Sequence, residues 1–189
     1  MTTVWDDIEA AGFEKADTLV ACSAGECRKH LFARMTKLTE FNMCAGNAPW
    51  WIETNTAAMA FAVKLSHNAD GTIGSHACIL VNRLALLEDG AKLTFHIHVD
   101  PTGEPKAKYS AGLVGRVRAT SEDWFARIDS SGTSEGKGRC SHPLQHAHVG
   151  TDPNARFQAR VPLYPLLPWE AVDWLLATAD ARFEPCPHP

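Results

Sequence analysis

Between residues 93 and 100 apolar and polar side chains alternate without a break. Leu93, Phe95, Ile97 and Val99 fall on one side of an extended chain, and Thr94, His96, His98 and Asp100 on the other. That period of two predicts a strand with one face in a core. Nearer the N-terminus the period changes to three or four. Ser23-Ala24-Gly25-Glu26 has the form of a capping box, in which the serine accepts from the backbone three residues on and the glutamate reaches back. A helix over 24–40 follows, with Cys27, Leu31, Met35 and Leu38 on its apolar side and Arg28, Lys29 and Lys37 in solvent. A short helix over 3–12 is expected before it, and Gly46 and Pro49 make 42–56 a loop.

A β-meander is predicted next: strands over 57–66, 75–87 and 92–99, with Asp-Gly pairs at 70–71 and 89–90 supplying the hairpin turns. A fourth strand is expected over 113–119. Thr120 or Ser121 then caps a helix carrying Trp124, Phe125 and Ile128. Residues 129–155 are polar, glycine-punctuated and without a clear period, which predicts a long flexible or functional loop. A last strand is expected over 157–163. Pro168 suits a first helical turn, and Trp169, Val172, Leu176, Ala179 and Phe183 recur at helical spacing as far as Pro185. The predicted fold class is therefore α+β, an antiparallel β-meander sheet with helices packed on one face and an amphipathic helix at the C-terminus.

Composition adds limits. At 189 residues, 45% apolar and 21% charged, the chain is expected to form a single globular domain over 1–189 without disulfide staples. No apolar run reaches the roughly 18 residues of a membrane span, and the first residues lack the basic and apolar regions of a secretory signal. A cytoplasmic protein with its six cysteines as thiols is the expectation. The net charge of −4, without a basic stripe, argues against nucleic acid as a partner.

Candidate chemistry lies in the histidines. His96, His98 and Asp100 share one strand face, and His142, His146 and His148 stand in the long loop about fifty positions on. Zinc accepts imidazole nitrogen, and a catalytic site typically offers three protein ligands and a water. These five histidines are therefore the candidate ligands of Zn2+ or another divalent transition metal, the two His-x-His pairs meeting on one ion. The order His96-Ile97-His98-Val99-Asp100 resembles the first part of the metallo-β-lactamase motif, but Pro101 stands where that motif requires another histidine. No family is adopted on it.

The expected function is a small metal-dependent enzyme, a hydrolase whose ion activates water. Asp100, Glu53 and Asp152 are the candidate catalytic carboxylates, and Trp50 and Trp51 would line the substrate pocket. The alternative is a non-catalytic binding protein, of immunity or adaptor type, meeting a protein partner through that aromatic patch. Cys27, in the first turn of a predicted helix with His30 one turn away, is a weaker candidate nucleophile against the ordinary reading as a buried thiol.

Overall fold

The computed structural model describes residues 22–44, 65–67, 73–100, 106–130, 145–155 and 158–184. For His98 and Asp100 the description is of the backbone alone. Helix α1 (Ala24–Glu40) begins at the capping box: Ser23 Oγ accepts from Glu26 N at 3.2 Å, and the Glu26 carboxylate accepts from Ser23 N at 2.9 Å. Seven strands follow: β1 (Leu65–His67), β2 (Ile73–Val81), β3 (Ala91–Asp100), β4 (Lys106–Arg116), β5 (Asp123–Ser130), β6 (Gln145–Gly150) and β7 (Val161–Pro162). They form one antiparallel sheet in strict chain order. Helix α2 (Pro168–Ala179) then packs across β4 and β5 and against α1, and a 3-10 turn (Ala181–Phe183) follows it. This is the α+β meander that the hydrophobic pattern predicts.

One face of the sheet carries the main core. Leu93, Phe95 and Ile97 of β3, Tyr109, Ala111 and Leu113 of β4, Ala126 and Ile128 of β5 and Ala147 of β6 form one core with Leu31 and Met35 of α1 and Val172, Leu175 and Leu176 of α2. The residues between them in sequence take the opposite face, as the pleat requires. Cross-strand register there sets His96, Ser110, Asp129 and His146 side by side across β3 to β6, with Thr94, Gly112, Arg127 and His148 as the next row.

Gln145 locks the approach to α2. It is wholly buried, its Oε1 accepting from Leu166 N at 2.6 Å and its Nε2 donating to Ser130 Oγ at 3.2 Å. Tyr109 OH donates to the Leu166 carbonyl at 2.8 Å, so strands β4 and β6 both hold the segment that leads into the helix. Gln145→Leu strands the Leu166 amide, and a loss of about 2–3 kcal/mol is expected in urea unfolding. A change under about 0.5 kcal/mol would show that the clamp contributes nothing.

Several boundaries differ from the sequence expectation. The helix expected to carry Trp124, Phe125 and Ile128 is strand β5. Thr120 and Ser121 do not cap it; they sit in the hairpin turn, where Ser121 N donates to the Val117 carbonyl and Ser121 has φ +55°. Aromatic and β-branched side chains suit a pleated surface, and β4 would otherwise lack a partner on that side. The fourth strand starts at Lys106 and ends at Arg116, earlier than predicted. Residues 145–150 are strand β6 rather than loop. Strand β2 ends at Val81, and only Val161 and Pro162 pair in the last strand. Helix α2 ends at Ala179, leaving Phe183 in the 3-10 turn. The expected helix over 3–12, most of the strand over 57–66 and the first Asp-Gly turn lie outside the described residues.

Candidate metal centre

Strand β6 carries Gln145, Ala147 and Val149 on one face and His146 and His148 on the other, the same alternation that marks β3. Its register against β5 puts Asp129 directly opposite His146, and Arg127 opposite His148. Both imidazoles are buried, at 5% and 3% exposed. Their Nε2 atoms lie 3.8 Å (His146) and 3.5 Å (His148) from Asp129 Oδ2. The two rings meet edge to face with centroids 4.8 Å apart. One ligand atom from each of Asp129, His146 and His148 falls within 4.8 Å of the others, a group that can hold a metal ion.

The donor set fits such an ion. Ligands about 2.0–2.1 Å from a tetrahedral zinc are about 3.3 Å from one another, near the two carboxylate–imidazole separations. Asp129 is held by two donors: Ser110 Oγ gives to Oδ1 at 2.6 Å, and Arg127 Nε gives to Oδ2 at 2.8 Å. A carboxylate offers about four acceptor positions, so capacity for a cation is left. His148 Nδ1 is, among the described residues, the one buried side-chain nitrogen or oxygen without a hydrogen-bond partner. Such an atom costs about 1–3 kcal/mol unless a bound group engages that nitrogen itself; it is the ring atom other than the Nε2 that faces Asp129.

Burial, reinforced by Arg127 and His146 and opposed by Asp129, holds the His148 imidazole down at about 4. It is thus neutral near pH 7, the form in which histidine binds metal. Metal-free protein should show this in its stability. The unfolded chain takes up the proton near pH 6.5, the folded ring only near pH 4. Stability from the neutral ring is therefore complete above about pH 6.5 and declines as pH falls towards 4, by on the order of 3 kcal/mol. Urea unfolding of chelator-treated protein across that range should show the decline, and His148→Gln should flatten it. An equal slope in the variant would remove His148 as its source.

The sequence-predicted residues are not all brought together. His96 and His98 lie on β3 and the pair at 146 and 148 on β6, with β4 and β5 between them. At about 4.8 Å per strand that is roughly 14 Å along the sheet, so the expectation that both pairs serve one ion is overturned. His96 is exposed, unlike the β6 pair. Asp152 is exposed, and its carboxylate accepts from Asn154 N at 2.8 Å in a tight turn. Asp100 ends β3 in register with Lys106, away from Asp129. Trp50, Trp51, Glu53 and His142 lie outside the described residues. Cys27 is fully buried, and its hydrogen bond with Cys22 together with that burial pushes its thiol up. The His30 ring stacks on Trp169 with centroids 4.5 Å apart. Cys27 is a core thiol.

Asp129 completes the group and is not among the candidates that the sequence offers: it falls at the start of the expected loop, and no local spacing joins it to residue 146; only the pairing of β5 with β6 does. What fold and site define is an α+β protein with two buried histidines and a half-buried aspartate grouped on the sheet face away from its helices. Compared with known proteins, the chain matches no family, no curated protein and no solved structure. Among the described residues no helix is long and apolar enough to cross a membrane.

Proposed function

We propose that the protein is a small metal-dependent enzyme in which Asp129, His146 and His148 hold one divalent transition metal, zinc first among them, that activates water for hydrolysis. The observation that carries this reading is the convergence of three ligand atoms, two on buried imidazoles and one on a half-buried carboxylate, with one imidazole held neutral. Three protein ligands with an exchangeable fourth position are the usual donor set of a catalytic zinc site, whereas structural sites close all four positions with protein. Bound metal lowers the pKa of its water to about 7, so a strong base beside it is not required. Asp152 then takes the lesser part of receiving a proton at the rim.

The competing reading is structural: Ser110, Arg127 and Asp129 would tie β4 to β5 with the imidazoles packed beside them. Elemental analysis of untagged protein separates the two. One equivalent of metal, removed by chelator with a fall in melting temperature, is the expected result. Metal-free protein whose melting temperature ignores both chelator and added Zn2+ would leave only the structural network.

A further inference from the structure

We propose that the substrate of this site carries an oxyanion, a phosphate or carboxylate group, bound between the metal ion and the guanidinium of Arg127; this rests on the metal reading above. Arg127 leaves the sheet on the same face as the histidines, directly opposite His148. Its Nε donates to Asp129 Oδ2 at 2.8 Å, and its Nη2 lies 3.5 Å from Gln158 Oε1. Gln158 is itself fixed, its Nε2 donating to the Pro153 carbonyl at 2.6 Å. With its side chain 36% exposed, Arg127 runs from the buried cluster out to the surface. A guanidinium has five N–H donors, and these two bonds use two of them.

Charge decides what the remaining donors face. Arg160, exposed on the segment that follows Gln158, also bears on His148 with its positive charge. A divalent ion beside Asp129, with Arg127 and Arg160 close by and Asp152 at the rim, leaves the site with a net positive charge. Uncompensated charge of this kind in a partly buried place is costly. A neutral ligand cannot cancel it and a hydroxide on the metal cancels one charge away from the guanidinium, whereas an oxyanion can reach both cations. Phosphate and carboxylate also match the planar fork of arginine, which binds them through paired, charge-assisted hydrogen bonds.

Calorimetry in two stages tests this. Chelator-stripped protein is titrated with Zn2+, and the Zn2+-loaded protein is then titrated separately with inorganic phosphate and with acetate. The expected result is one equivalent of Zn2+ and measurable binding of at least one anion. Arg127→Gln should weaken that anion by about tenfold or more while Zn2+ binding persists, and Arg160→Gln should weaken it about threefold. Tighter phosphate indicates a phosphoryl substrate, and tighter acetate a carboxylate. Zn2+ binding without either anion, or anion affinity unchanged in both variants, overturns the proposal and leaves the metal reading standing. No Zn2+ binding overturns both. Should Arg127→Gln fail to fold, the exposed Arg160→Gln decides the anion question.

Discussion

Asp129→Ala, His146→Ala and His148→Ala should each lose Zn2+ affinity by more than about 100-fold, and His96→Ala should keep it. Partners outside the ligand shell are worth 10–100-fold in known metal sites, so a ligand must exceed that range. Ser110→Ala belongs to the outer class: its hydroxyl, 2.6 Å from Asp129 Oδ1, orients the carboxylate without reaching the imidazoles' side of it. A loss of about tenfold is expected there. The comparison between His96 and His148 is the informative one, because both belong to His-x-His pairs on the same sheet face. Equilibrium dialysis against a chromophoric chelator measures all five variants. Equal loss in His96→Ala and His148→Ala would mean that the β3 pair takes part after all.

Phe95→Ala should cost about 3–5 kcal/mol of stability. Phe95 is 1% exposed on strand β3, and it is among the largest side chains wholly enclosed in the core. Its β4 neighbour in register is Ala111, whose methyl group cannot fill the space that alanine would leave. Val149→Ala is the control: Val149 is 49% exposed, and a change under about 0.5 kcal/mol is expected. Urea unfolding of the two variants checks this. A cost under about 1.5 kcal/mol for Phe95→Ala would mean that the sheet and helices close over the cavity.

Much of this fold is legible in the chain. The capping box at Ser23 and Glu26 places α1 to the residue, since two reciprocal bonds between neighbours need no tertiary context. Trp169, Val172, Leu176 and Ala179 mark α2 for a similar reason: one helix face is written entirely in local spacing. Strand β3 is equally plain from its alternation. Strand β5 is not legible locally, because Trp124, Phe125 and Ile128 fit helical spacing as well as a pleat, and only neighbouring β4 and β6 arbitrate.

The site was legible in half. His146 and His148 stand out as candidate ligands from residue type and spacing, but the carboxylate beside them does not. Asp129 meets them through register, a property of two strands that neither strand's sequence displays. The expected meeting of the β3 and β6 pairs failed on distance, which depends on how many strands intervene.

The pleat that buries His146 and His148 on one face and Gln145 and Ala147 on the other ties the candidate site and the architecture to a single parity. Inserting one amino acid between Gln145 and His146 would turn every later β6 side chain over. Imidazoles would then enter the oily interior, and the inserted residue and Ala147 would take their places opposite Asp129 and Arg127. An insertion of two would preserve the sidedness, so the gene should tolerate even-numbered length changes in this strand far better than odd ones.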